Sequence, residues 1–238
     1  MISIIIAAGY ATRLYPLTEN FPKPLLKIGN STILDRLLDD LDTIPDIERH
    51  VVVSNHKFIS HFERWAQGRP RVALIDDGTT ANEHRLGAVC DLLLALADID
   101  DDILVLAADN ILDFSLKGFV DYFHDKRTSL IMCHHEPSLD KLRRTGVIAV
   151  DGQMRVLQMQ EKPQEPVSHW AVPPFYIYAR EDLPLIRTCL DHGCGHDAPG
   201  NLAHFLATRT TLHAWPMPGT RLDIGSLDTY YEAQRQFA

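Results

Sequence analysis

The chain has 238 residues, with 23 Lys and Arg against 32 Asp and Glu, for a formal charge of −9. Hydrophobic residues at 45% and charged residues at 23% exclude a disordered, collagen-like or coiled-coil chain and suffice for the core of one large domain. The acidic balance also excludes a broad basic face for nucleic acid, although it leaves room for a local cationic pocket around a small anion.

Residues 3–7 (SIIIA) form a short, continuous, β-branched apolar run ending near Gly9, the pattern of a fully buried strand. A polar loop marked by Pro16, Pro22 and Pro24 follows, and Thr32 is placed to cap a helix with the stripe Ile33, Leu34, Leu37, Leu38 and Leu41. Strands are predicted over 50–54, 71–75 and 103–108. Helical patterns run through Phe58, Ile59, Phe62 and Trp65, over about 87–97, and over about 116–123. Strands apolar on both sides and alternating with helices predict a parallel sheet covered on both faces. After about residue 128 the rhythm changes to turn-separated strands at 129–134, 146–150, 156–160, 175–179 and 211–215. Helices are expected near 181–190, 200–207 and 226–237. The expectation is one α/β domain over 1–238, with a nucleotide-binding half to about 127 and an acceptor-binding half with mixed strands beyond it.

The longest apolar runs, 2–8 and 92–97, fall short of the roughly 20 residues that a membrane span needs. The N-terminus has neither a basic segment nor the long apolar stretch of a signal peptide, so a cytoplasmic protein without membrane association is expected. Cys189, His192, Cys194 and His196 crowd into one short stretch, but their spacing matches none of the usual zinc patterns.

The chemistry is concentrated after the first strand. Ala7, Ala8, Gly9, Tyr10, Ala11, Thr12 and Arg13 are followed by Leu14-Tyr15-Pro16-Leu17-Thr18 and by Pro22-Lys23-Pro24-Leu25. In an open parallel sheet the ligand sits beyond the carboxyl ends of the strands. Small residues there let backbone N–H groups approach a polyanion; Arg13 offers a planar fork to phosphate oxygens, and Lys23 a mobile point charge.

This segment resembles the signature of the sugar-1-phosphate nucleotidylyltransferases, with Ala11 where that family usually has a second glycine. The resemblance continues along nearly the whole chain. Residues 104–110 (LVLAADN) are similar to the family strand whose Asp holds magnesium, which puts Asp109 forward as a metal ligand. Asp223, in Arg221-Leu222-Asp223-Ile224-Gly225, is similar to the second metal-binding Asp. Gly146, Glu161 and Lys162 match elements that contact the sugar and its phosphate. Asn82 and Gly87 fall where the family reads the base, and Asn110, Asp197 and Asn201 are further candidate acceptor contacts.

The resemblance implies a Rossmann-like three-layer nucleotide-diphospho-sugar transferase fold. It also implies a Mg²⁺-dependent enzyme joining a nucleoside triphosphate to a sugar 1-phosphate, with Arg13, Lys23, Asp109 and Lys162 carrying the chemistry. Two other readings stand beside it. One is a cytidylyltransferase for a non-sugar phosphate such as phosphocholine, with Trp170, Phe175 and Tyr176 as aromatic partners for the amine. The other is a silent nucleotide sensor. Assembly into a homo-oligomer is left open.

Overall fold

A computed structural model describes residues 1–237. They fold into two compact units that are interleaved in sequence rather than arranged as consecutive halves. The first takes Met1–Leu86, Ala107–Lys117 and the chain from Pro218 onward; the second takes Gly87–Leu106 and Gly118–Met217.

In the first unit the strand Ile2–Ile6 lies parallel to Arg49–Ser54, which lies parallel to Val72–Asp76. Ile4, Ile5, Val52 and Val53 are fully buried, as expected of strands covered on both faces. Thr32 caps the helix Ile33–Leu41 as its sequence predicts. The Asp35 N–H donates to Thr32 Oγ1 at 2.9 Å, and the Thr32 N–H donates back to the Asp35 carboxylate at 3.3 Å, a reciprocal capping box. The helix Leu227–Phe237 is tied down by Gln234, whose Nε2 donates to the Lys27 carbonyl at 2.7 Å.

One element of this unit has no counterpart in the sequence analysis. Asn110–Leu112 and Arg221–Asp223 pair antiparallel, with Asp223 opposite Asn110 and Leu222 opposite Ile111. Three-residue strands are too short to show an alternation, so only their partner reveals them. Ile111 and Ile224 bury themselves with Leu14, Leu26, Ile28, Ile33 and Ala233 in one apolar cluster. That cluster is the floor on which the opening loop and the ribbon both rest.

The second unit is mixed. Phe175–Tyr178 runs antiparallel to both Ile103–Ala107 and Ser129–His135, Trp170–Val172 pairs antiparallel with Ser129–His135 and Gly146–Val150, and Gly146–Val150 pairs antiparallel with Val156–Glu161. Leu212–Pro216 alone runs parallel, beside Ser129–His135. The change of strand rhythm after residue 128 is therefore real. The single helix expected near 181–190 is instead a short helix, Leu183–Arg187, between two 3₁₀ turns. Among the described residues, no helix is long and apolar enough to cross a membrane.

Gly87 shows how tightly the second unit is built. It stands at φ +95° at the start of the helix Ala88–Ala95, and the Ala88 and Val89 N–H groups donate to the Asp197 and His196 carbonyls, each at 3.0 Å. A Cβ on Gly87 would lie 2.5 Å from the His196 carbonyl oxygen and 2.8 Å from Asp197 Cα, backbone atoms that cannot swing aside. Strain at positive φ and overpacking add. Gly87→Ala is expected to destabilise the protein by about 2–4 kcal/mol, measured by urea denaturation; a loss within experimental error would show that the two segments part easily.

Candidate active site

The loop after the first strand is held by backbone and side-chain hydrogen bonds. The Ala7 N–H donates to the Val53 carbonyl at 2.9 Å, and buried Asn55 donates through Nδ2 to the Ala8 carbonyl at 2.8 Å. Tyr10, expected to face the nucleotide, turns its side chain inward: it is 3% exposed, its hydroxyl meets Thr79 Oγ1 at 3.0 Å, and its ring packs near Phe58. Only the Tyr10 backbone is left for a ligand. A Cβ on Gly9 would meet no protein atom, so this glycine keeps clear a space that the chain itself does not fill.

Ala11 adopts φ 48°, ψ 43°, the left-handed conformation that glycine takes most readily. The Thr18 hydroxyl donates to the Ala11 carbonyl at 2.8 Å, the Leu14 N–H donates to the same oxygen at 3.0 Å, and the alanine packs on the apolar cluster below. The methyl therefore leaves the loop in its glycine-type conformation. Thr12 and Arg13 follow in a 3₁₀ turn, with both residues exposed. The Arg13 guanidinium makes no hydrogen bond or ion pair to a described residue.

Lys23 closes the arrangement. Its Nζ donates to Asp109 Oδ2 at 2.6 Å and to the Ile224 carbonyl at 3.1 Å. The Ile224 N–H in turn donates to the Asp109 carbonyl at 2.9 Å. Arg13, Lys23, Asp109 and Asp223, together with Ala11, Thr12, Leu14 and Gly225, line one cavity of about 290 Å³. The four charged groups singled out in the sequence, the last two more than a hundred positions apart, thus share one site within the first unit.

Partial desolvation in the cleft and, second to it, repulsion by Asp109 push the Asp223 carboxyl above its ordinary value although its side chain is 55% exposed; Arg221, Lys23 and Arg13 oppose the shift without cancelling it. Two carboxylates facing one cavity are a donor set for a hard cation. Among the described residues no third His, Cys, Asp or Glu joins them. Magnesium suits such a sparse set, because it keeps several waters and takes further oxygens from substrate phosphates.

Asn110, expected to contact the acceptor, does something else. It is 3% exposed, its Nδ2 donates to Asp109 Oδ1 at 2.7 Å, and its Oδ1 accepts from Arg221 Nη1. Both ends of the amide are thus engaged within the protein, by Asp109 and by Arg221.

The acceptor-side residues gather in the second unit. Glu161 ends the strand Val156–Glu161 with Oε2 lying against two glycines. A Cβ on Gly146 would approach it to 3.3 Å, and one on Gly200 would overlap it outright. Burial raises the Glu161 carboxyl, with Lys162 and His204 pulling it down and Asp197 pushing it up. Lys162 stands at φ 48° with Nζ 3.9 Å from Glu161 Oε1. Glu161, Asn201 and His204 line a cavity of about 790 Å³ with Gln160, Gln164 and Glu165. Gly200 and His204 were not foreseen; Pro199 before Gly200 marks a helix start but says nothing about what the glycine faces. The Asp197 carbonyl caps the helix Ala88–Ala95, and Asn82 lies in a 3₁₀ turn of the first unit. Phe175 and Tyr176 are buried in the core, and Trp170 packs edge-on against His135.

A family model for nucleotidyl transferases matches residues 2–238, and the chain belongs to that family. It is 28% identical to the UTP–glucose-1-phosphate uridylyltransferase AglF of Haloferax volcanii, over 99% of this chain and 96% of that protein. It is 30% identical to the bifunctional protein GlmU of Methanococcus aeolicus over 79% of this chain but 42% of the relative. A glucose-1-phosphate adenylyltransferase of Fervidobacterium nodosum is 25% identical over 98% of this chain and 60% of its own length. Among solved structures, a UDP-glucose pyrophosphorylase complexed with UDP-glucose superposes with a TM-score of 0.84 at 20% identity, covering 98% of this chain and 97% of the other. An apo UDP-glucose pyrophosphorylase gives 0.79 at 20% identity, over 98% of this chain and 96% of that one. The protein has the mixed α/β, Rossmann-like fold of the nucleotidyltransferases and is an enzyme of that class.

The raised Asp223 carboxyl has a consequence for stability. Its folded value lies above the ordinary 3.8, so the folded state binds this proton more readily than the unfolded chain. Stability is therefore lost as pH rises from about 4 through the raised value. Asp223→Asn removes that loss. In chelator, the variant is expected to melt above the wild type at pH 7, with the gap closing toward pH 4; a lower melting temperature at pH 7 would contradict this reading.

Proposed function

We propose that the enzyme joins a sugar 1-phosphate to the α-phosphorus of a nucleoside triphosphate, releasing pyrophosphate and an NDP-sugar. The observation that carries the reading is the single cavity bounded by Arg13, Lys23, Asp109 and Asp223.

The nucleophile needs little activation. A phosphate monoester has a second pKa of about 6, so its attacking oxygen is mostly ionised at neutral pH. No general base is called for, and no Ser-His or Cys-His arrangement takes part. The barrier is electrostatic: an anion must approach an anion while charge accumulates on the leaving pyrophosphate. Prepositioned cations and in-line alignment therefore supply most of the acceleration.

Arg13, without a protein partner, takes the β- and γ-phosphates with its planar fork. Lys23 takes the α-phosphate, exchanging one anionic partner for another. The backbone N–H groups of residues 8–12 line the polyphosphate, with Gly9 leaving it room. Asn82 borders the base. Asp109 and Asp223 hold Mg²⁺, which when bound screens the phosphates and polarises the α-phosphorus. On the acceptor side Glu161 accepts from sugar hydroxyls, Gly146 and Gly200 keep its carboxylate within reach, Lys162 holds the sugar phosphate, and Asp197 and Asn201 add polar contacts.

A sugar fits the second unit better than a quaternary amine does. The cavity beside Glu161 is lined by amides, carboxylates, His204, Pro163 and Val167, with no Phe, Tyr or Trp among these lining residues. The aromatic rings that a cationic ligand would need are in the core or packed on a histidine. A silent sensor, the remaining alternative, has no use for both carboxylates and both cations around one phosphate-sized space.

A matrix of nucleoside triphosphates and sugar 1-phosphates, assayed for pyrophosphate release with Mg²⁺, is expected to give turnover with at least one pair. Arg13→Ala and Asp109→Ala should each lower kcat on that pair by about 10²–10³-fold while leaving the fold intact by circular dichroism; near-normal turnover in either would refute the assignment. Glu161→Gln should raise KM for the sugar phosphate roughly tenfold with KM for the triphosphate unchanged. Equal effects on both substrates would place Glu161 elsewhere in the reaction.

A further inference from the structure

The antiparallel ribbon puts Asn110 opposite Asp223, and residues opposite one another in such a pair project to the same face. Arg221, two residues before Asp223, projects to that face as well. Its side chain is largely buried, at 17% exposure; Nη1 donates to Asn110 Oδ1 and stands 3.7 Å from Asp223 Oδ2. The geometry points to Arg221 as a positioning residue that fixes the Asn110 amide and, through it, the orientation of the Asp109 carboxylate.

The argument is one of donors and acceptors. A guanidinium has only N–H donors, so whatever group it hydrogen-bonds must present an acceptor. Asn110 has one acceptor end and one donor end. With its oxygen claimed by Arg221, its NH₂ has to face Asp109, which offers only acceptors when ionised. Asp109 is then gripped at both oxygens, Oδ1 by Asn110 at 2.7 Å and Oδ2 by Lys23 at 2.6 Å, and its plane is set. Without the guanidinium the buried amide oxygen loses its partner, and only the bond to Asp109 is left to keep the amide from turning its oxygen toward that carboxylate.

Part of this inference is a property of the protein alone, and part rests on reading Asp109 and Asp223 as metal ligands; two readouts separate them. In the ¹⁵N spectrum of the protein without metal or substrate, the Asn110 side-chain NH₂ should give one pair of well-separated proton signals. Arg221→Met should duplicate that pair or shift both signals to averaged positions, and Arg221→Lys, which still donates to Oδ1, should keep it. An unchanged pair in Arg221→Met overturns the proposal. If Arg221→Met fails to fold, Arg221→Gln, whose amide offers Asn110 either end, should give two Asn110 signals, and a single one overturns the proposal.

The second readout is Mn²⁺ binding to the substrate-free protein, followed by electron paramagnetic resonance. Loss of an outer-shell partner weakens metal sites by about 10–100-fold, so Arg221→Met and Asn110→Ala should each lie in that range. The double variant should be no weaker than Asn110→Ala alone, because Arg221 acts through Asn110. Additive losses would show Arg221 acting by another route and overturn the positioning role. A wild-type protein that binds Mn²⁺ neither alone nor with added pyrophosphate would remove the metal assignment, while the Asn110 signals would still decide the positioning claim.

Discussion

The bond between Lys23 and Asp109 is the contact on which the candidate site depends. Lys23 donates to the Asp109 carboxylate and also to the carbonyl of Ile224, so one ammonium holds the proline-marked loop against the two strands of the ribbon. It also stands between two acids that repel each other, as the raised Asp223 carboxyl records. The fold keeps those acids together because their neighbours are apolar: Ile111 follows Asn110, Ile224 follows Asp223, and both point down into the cluster that also receives Leu14 and Ile33. Alternation along the strands then puts Asn110, Arg221 and Asp223 on the opposite face, and Asp109, just before the strand Asn110–Leu112, is held at the cavity by its bonds to Asn110 and Lys23.

Backbone strain is concentrated in the same regions. Only four non-glycine residues among those described have positive φ, and two of them, Ala11 and Lys162, lie in segments assigned to substrate. The left-handed conformation costs about 1–2 kcal/mol in a residue with a Cβ. At Ala11 the enforcing contacts are visible: two hydrogen bonds onto its carbonyl and an apolar surface under its methyl. At Lys162 the following proline disfavours the right-handed helical region, and the Lys162 N–H donates to the Thr145 carbonyl at 3.1 Å. Strain held in place by several contacts is what a preorganised site requires.

These features were unequally legible in the sequence. The buried strands of the first unit and the Thr32 cap could be read directly, since continuous β-branched runs and a capping threonine are local signals. Arg13 and Lys23 were legible as cations in a small-residue, proline-marked loop after a buried strand, whereas Asp109 and Asp223 were put forward by the family resemblance and not by any local signal. The ribbon was not legible, because three residues carry no period. Nor were the interleaved units, since the return of the chain to the first unit after residue 217 depends on Asp223 finding Asn110. Tyr10 and Asn110 were assigned to ligands from their neighbours in the chain, whereas Thr79 and Arg221, 69 and 111 positions away, decide what those side chains do. Gly87 invites a ligand explanation in sequence, and the backbone at 196–197 supplies a sufficient steric one.

The two cations that face the cavity differ in a way that suits the proposed reaction. The protein is acidic overall, so attraction for a polyanion has to be local. Arg13 is exposed and uncommitted, and its fork matches phosphate oxygens in a fixed geometry. Lys23 is mostly buried and already paired, so its charge is balanced until a stronger anion competes for it. A neutral donor in place of Lys23 would leave Asp109 and Asp223 facing each other with less to offset them, which in a partly buried site is a serious penalty. The lysine therefore serves the folded protein first, by making two acids tolerable, and serves the substrate second, by changing partners. Being a point charge on a flexible stem, it can do both without moving the backbone, which a planar guanidinium locked between two acids could not.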